Sequence, residues 1–231
     1  MISVRQAQER GRANFGWLDS KHTFSFGSYY DPQHMGFSAL RVINDDKVIP
    51  GAGFETHGHR DMEIISYVLS GTIAHKDSEG NVQTLPAGEF QLMSAGKGIY
   101  HSEFNASKAD DLRFLQIWIE PNSLGGQPGY QQKDFGREPG LTPIATPDGR
   151  EGTLHIKQDA TLSQLILASG ESLNLEVQAK RKVYVHLVSG TLSLDSTTLQ
   201  PGDGAKVVDQ TVLELRTSGS ETVTALVFDL P

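Results

Sequence analysis

The sequence predicts an all-β protein made of two copies of one strand-rich unit. Three observations carry this reading. Short runs of alternating, β-branched or aromatic residues recur between Gly, Pro and Asn turn signals along the whole chain. Helical periodicity is weak, and only the segments near 3–10 and 159–164 invite a short helix. A stretch of the first half is repeated in the second.

In the first half the predicted strands are FSALRVI (37–43), MEIISYVL (62–69), GTIAHKD (71–77), EFQLM (89–93) and RFLQIWI (113–119). Ser70-Gly71 and Glu79-Gly80-Asn81 read as hairpin turns, and Pro86-Ala87-Gly88 as a further break. The segment from Pro121 to Gly152 is rich in Gly, Pro, Gln and Asp, lacks sustained periodicity and reads as the domain connection. A second series follows: LSQLILA (162–168), SLNLEVQ (172–178), KVYVHLV (182–188), GTLSLDS (190–196), VLELRT (212–217) and VTALVFDL (223–230).

The repeat pairs EIISYVLSGTIAHKD (63–77) with KVYVHLVSGTLSLDS (182–196) at a constant offset of 119 residues. LPAGEF (85–90) has a looser echo in LQPGDG (199–204), 114 residues on. Under the first offset His57 and His59 correspond to Glu176 and Gln178, and Lys182 stands for Glu63. Under the second, Leu215 and Thr217 stand where His101 and Glu103 do. The second copy keeps the strands and lacks the first copy's metal-competent side chains.

Composition narrows the function classes. The 231 residues are 37% hydrophobic and include 10 Phe, 6 Tyr and 2 Trp, enough apolar surface to fold without disulfides. Cysteine is absent, so thiolate metal sites and a Cys nucleophile are excluded. The formal charge of −8 opposes direct nucleic-acid binding, and Lys180-Arg181-Lys182 carries no interleaved aromatics. The N-terminus MISVRQAQERGR lacks the apolar core of a signal peptide, and no stretch is long and apolar enough for a membrane span. A cytoplasmic protein without membrane contact is the expectation.

Two motifs carry chemistry: THGHRDME (56–63) and GIYHSEFN (98–105). Each places two metal-competent side chains at i, i+2, which on a β-strand point to the same face. His57 with His59, and His101 with Glu103, can therefore each donate from one strand. Three imidazoles and a carboxylate suit Fe, Mn, Co, Ni, Cu or Zn, whereas Ca and Mg want mostly oxygen. Glu63 competes for the fourth place, but i+4 along a strand lies about 13 Å away; it is otherwise an outer-shell partner of an imidazole or an ordinary strand carboxylate. His22, His34, His75, His155 and His186 have no partner at ligand spacing and read as structural or surface residues. WLDSKHTFSFGSYY (17–30) reads as an interdomain or core plug, and no nucleophile–base pair or phosphate loop stands out.

Gly51, the H-x-H pair, Glu63 and Gly71 resemble the first cupin motif, and Gly88, Gly96, His101 and Asn105 the second. Residues 16–46, followed by GAGFETHGHRDMEIISYVLSGTIAHKDSEGN and MSAGKGIYHSEFN, closely resemble the pirin family, and within it bacterial pirin-like quercetinases. The family often has Pro between the first two histidines, where this chain has Gly58. The resemblance implies two tandem cupin (jelly-roll) β-barrels, a metal-binding cupin over 1–135 and a degenerate one over 136–231. It also implies His57, His59, His101 and Glu103, rather than Glu63, as ligands of one divalent transition metal, iron first among the candidates.

The activity it implies is quercetin 2,3-dioxygenase-like. A flavonol or similar enolic substrate is opened by O₂ with release of carbon monoxide, and Glu103 accepts the flavonol proton. The alternative is a metal- or redox-sensing pirin that regulates a protein partner.

Overall fold

A computed structural model describes all residues from Met1 to Pro231 and shows the all-β architecture the strand pattern predicts. Two compact units separate: Gly11–Gly136 with Ile156–Gln158, and Met1–Arg10 with Arg137–His155 and Asp159–Pro231. The division thus follows the chain except at two short segments. Met1–Arg10 belongs to the C-terminal unit because Ile2–Arg5 pairs with Gly204–Val207.

The first unit contains a seven-stranded sheet. Its spatial order is Gly129–Lys133, Phe90–Ser94, Glu63–Ser70, Leu112–Ile119, Leu40–Val48, Leu18–His22 and Gly11–Asn14. A four-stranded sheet, in the order Gly53–His59, Ile99–Asn105, Thr72–Asp77 and Val82–Pro86, supplies the other layer. Glu103 on the smaller sheet bonds Ser66, Gln91 and Gln116 on the larger one, so the inner faces of the two layers meet there. This is the two-layer closure of a jelly roll.

The second unit repeats the arrangement. Gly204–Val207, Lys182–Ser189, Val223–Leu230 and Thr161–Leu167 stand in the order of Phe90–Ser94, Glu63–Ser70, Leu112–Ile119 and Leu40–Val48. Ser172–Glu176, Val212–Thr217, Leu192–Leu194 and Thr197–Leu199 repeat the four-stranded sheet.

The duplication makes the second unit an internal control for the first. A row of polar residues crosses the first unit's large sheet through paired positions: Gln91, Ser66, Gln116 and Asn44. The matching row in the second unit is Ala205, Val185, Val227 and Ser163. Asp46 matches Leu165, two residues further along the same strand pair. Leu165, Val185, Ala205, Leu215 and Val227 all belong to one apolar core cluster, with Leu194 at the position of His75. The jelly roll therefore fills these positions, all but that of Ser163, with aliphatic side chains when nothing else is asked of them. Burying polar groups there costs free energy, so the polar row of the first unit calls for a functional reason.

One expectation is corrected. The segment at 159–164 starts a strand, Thr161–Leu167, whose residues are buried along almost its whole length as the partner of Val223–Leu230; only the 3–10 segment holds a short helix, the 3-10 turn Ala7–Glu9. The connection 121–152, which contains the boundary between the two units at 136–137, carries a strand of each. Gly129–Lys133 pairs at the edge of the first unit's sheet, and Gly140–Thr146 pairs in the second unit, with a register shift at Pro143. An edge strand and a proline-bearing bulge leave little hydrophobic alternation to read. No helix is long and apolar enough to cross a membrane.

Candidate metal centre

His57 and His59 lie on Gly53–His59, and His101 and Glu103 on its antiparallel neighbour Ile99–Asn105. His101 stands directly opposite His57, and their rings approach to 4.6 Å between centroids. Between that pair and the Phe54–Glu103 pair, Glu55 and Thr56 oppose Ser102 alone, which is a β-bulge. The bulge turns the Glu55 carbonyl towards the His57 ring, which it meets at Nδ1 over 2.7 Å. A carbonyl can only accept, so Nδ1 carries a proton, and in the neutral tautomer that this selects, Nε2 of His57 is the nitrogen with the lone pair.

Nε2 of His101 lies 3.0 Å from Nε2 of His59 and 3.2 Å from Nε2 of His57. Metal–nitrogen bonds of about 2.1 Å meeting at right angles would set their nitrogens about 3.0 Å apart. Burial is the leading cause that lowers His59 to about 4 and His101 to about 3, with the neighbouring imidazoles adding to it. Near neutral pH both rings are therefore uncharged and able to donate a lone pair. The donor set and its spacing fit one divalent transition metal.

Glu103, 2% exposed, joins the cluster through His101 rather than through all three imidazoles; its carboxylate, His101 and His75 form a second group of donors within 4.8 Å of one another. Glu103 Oε1 accepts from Gln91 Nε2 at 2.5 Å and from Ser66 Oγ at 3.3 Å, while Oε2 receives only the long contact from Gln116 at 3.4 Å. The single proton of Tyr130 Oη is shared between Gln132 Oε1 at 2.8 Å and Gln91 Oε1 at 3.0 Å, which places the hydroxyl against the amide that holds Glu103. Oε1 is thus tied down and Oε2 is the less committed oxygen.

His75 corrects the reading of that residue as partnerless. It sits opposite Glu103 on Thr72–Asp77, and its Nε2 bonds Asp77 Oδ2 at 2.9 Å. An H-x-D pair at i, i+2 was a visible signal, but the pairing with Glu103 is a long-range register that spacing does not contain. His34 bonds Asp31, His155 is exposed and His186 is buried in the second unit. Glu63 is in neither donor group; it accepts from Ser94 Oγ at 2.9 Å and from the Lys157 amide at 3.1 Å.

A cavity of about 730 Å³ opens beside the imidazoles, with His57 and His59 in its wall and Trp17, Phe26, Phe54 and Trp118 among its aromatic lining. The 17–30 segment is therefore cavity wall within the first unit rather than a plug. Ser20, His22, Asn44 and Asp46 line the same cavity. Burial pushes the Asp46 carboxyl up to about 7, against a bond from Ser20 that pulls it down. In the unfolded chain that group ionises near 3.8, so the folded state loses stability as pH rises from about 4 to 7 and the deficit persists above. Asp46→Asn is expected to stabilise the metal-free protein at pH 8 by about 1–3 kcal/mol, read as a higher thermal midpoint, and to change it little at pH 4. Equal shifts at both pH values in calorimetry would contradict this.

A sequence-family model described as Pirin matches residues 3–119, and one described as Quercetinase C-terminal cupin domain matches 143–230. The chain is 47% identical over 231 residues to a quercetin 2,3-dioxygenase of Escherichia coli K12, covering 100% of this chain and 99% of that protein. It is 39% identical over 219 residues to a pirin-like protein of Caulobacter vibrioides, covering 93% and 94%. Among solved structures, the bacterial pirin YhhW in complex with nickel(II) from Escherichia coli superposes with a TM-score of 0.96 at 46% identity, covering 100% and 99%. A quercetin 2,3-dioxygenase from Acinetobacter baumannii shares the fold, with a TM-score of 0.76 at 20% identity over 98% and 85%.

Proposed function

The chain belongs to the pirin family of two-cupin proteins, and on that premise we propose that it is a metal-dependent dioxygenase that opens flavonols such as quercetin with O₂. The observation that carries this reading is the convergence of His57, His59 and His101 beside an aromatic-walled cavity, with the Glu103 carboxylate adjoining. His57, His59, His101 and Glu103 would hold the ion, one divalent transition metal. The naming of the 47% identical relative as a quercetin 2,3-dioxygenase and the nickel(II) in the YhhW structure support the same assignment.

When bound, the ion supplies a Lewis acid that acidifies an enolic hydroxyl and binds its anion. The protein supplies the rest. The cavity's aromatic rings hold a flat substrate by edge and face contacts and exclude water from it. Glu103 Oε2, the oxygen with the weaker hydrogen bond, accepts the proton of the flavonol 3-hydroxyl. Gln91, steadied by Tyr130, keeps that carboxylate from swinging away. Dioxygen then adds both of its atoms to the deprotonated ring, and one ring carbon leaves as carbon monoxide.

Protein loaded separately with Fe, Mn, Co, Ni and Cu should bleach quercetin absorbance in air and not under argon, releasing one carbon monoxide per quercetin. Absence of turnover with all five metals, in protein shown by elemental analysis to hold them, would overturn the proposal.

A further inference from the structure

A ligating imidazole is usually oriented by a hydrogen bond from its second ring nitrogen, because the torsion that turns the ring is broad and roughly two-fold. His57 has such a bond, to the Glu55 carbonyl. His101, the residue common to both donor groups, has none: its Nδ1 is buried without a hydrogen-bond partner in the protein. Packing must therefore keep its Nε2 turned towards His57 and His59.

The next strand supplies that packing. Thr72–Asp77 pairs with Ile99–Asn105 so that Asp77 stands opposite His101 and His75 opposite Glu103. The His75 ring lies 5.5 Å from the His101 ring at a tilt of 52°, and 4.6 Å from the Tyr130 ring at 33°. Both separations are those of rings in contact.

His75 is itself fixed. Its Nε2 bonds Asp77 Oδ2 at 2.9 Å, and the side chains of both residues are fully buried. Asp77 is anchored in turn: Oδ2 also accepts from Asn81 Nδ2 at 2.9 Å, and Oδ1 accepts from the Glu79 and Asn81 amides at 3.0 and 3.1 Å. The second unit carries Leu194 at the position of His75, inside its apolar core, so the fold does not require an imidazole there. Burying a polar pair where leucine would serve costs free energy, and leucine offers neither a flat face nor a bond that fixes its orientation.

We propose that His75 is a positioning residue of the metal centre: fixed by Asp77, its ring holds the His101 ring in the orientation that aims Nε2 at the ion. It does by contact for His101 what the Glu55 carbonyl does by hydrogen bond for His57. This inference rests on the assignment of the ion to His57, His59, His101 and Glu103, and it deepens that assignment by naming what presets its central ligand. It does not depend on the reaction.

The test is nickel affinity, measured by competition with a chelator on protein shown by circular dichroism to be folded, beside the thermal midpoint of the metal-free form. His75→Leu is expected to weaken nickel binding about tenfold to a hundredfold. Its metal-free form is expected to melt close to the wild type, since leucine already fills this position in the second unit. His75→Phe keeps a flat ring beside His101 and has no lone pair, and it is expected to bind within about threefold of the wild type. A merely structural role would lower the midpoint and leave the affinity of the folded protein unchanged.

Wild-type affinity in whichever of His75→Leu and His75→Ala folds overturns the proposal. So does a His75→Phe protein that loses as much affinity as His75→Leu, because His75 would then serve the ion through its nitrogen and not through its ring. Wild-type protein that takes up no nickel overturns the ion assignment and this inference with it. The expected affinities in a protein that leaves quercetin untouched would overturn only the dioxygenase reading.

Discussion

Replacing His101 with alanine is expected to strip the protein of its metal and, with it, of quercetin turnover. His101 is the pivot of the centre: its Nε2 is 3.0 Å from that of His59 and 3.2 Å from that of His57, and it is the one residue common to both donor groups. If an ion bound with about 10–16 kcal/mol is shared among four ligands, each accounts for roughly 3 kcal/mol, so one deletion weakens binding by on the order of a hundredfold. The remaining donors would not retain the ion through purification without added metal.

The fold should survive His101→Ala. The ring is 1% exposed and its Nδ1 has no partner, so truncation removes a burdened polar group along with packing. Elemental analysis should find well under about a tenth of an equivalent of metal, and turnover should fall at least as far as occupancy does. A full equivalent of tightly held metal in this variant would place the ion elsewhere.

How much of this was legible beforehand depended on which face of a strand the polar residues occupy. The i, i+2 spacing of His57 with His59 and of His101 with Glu103 placed each pair on one face, and the structure brings the two strands side by side. The 119-residue repeat announced the duplicated sheet order. The cavity wall was invisible for the opposite reason. In Leu18–His22 the inward positions are Leu18, Ser20 and His22, and in Leu40–Val48 they include Asn44 and Asp46.

Reading polar as outward inverts such strands, because hydrophobic alternation locates only an apolar inner face. His75 escaped for a different reason. What brings it to Glu103 is the pairing of Thr72–Asp77 with Ile99–Asn105, and register between distant strands is not written in local spacing. Spacing along the strand had already favoured Glu103 over Glu63, and the resemblance implied the same choice. Only the paired strands show Glu63 bonded to Ser94, away from the imidazole cluster.

Glu103→Gln should separate holding the ion from using it. The amide keeps the shape of the carboxylate, and its oxygen can still accept from Gln91 or Ser66. His57, His59 and His101 are untouched, so nickel occupancy at saturating metal is expected to remain close to one equivalent. What the variant loses is a group able to take the 3-hydroxyl proton. Removing a general base costs about 10²–10⁴ in rate, so kcat for quercetin should fall by that factor. The contrast with His101→Ala is what makes the pair informative, since there the rate falls because the ion is gone and here it falls with the ion in place. A Glu103→Gln protein that turns over at the wild-type rate would send the proton to another acceptor and leave Glu103 as packing against Gln91 and Gln116. A protein that loses both metal and activity would make the carboxylate a ligand first, its basicity secondary to keeping the ion beside the cavity.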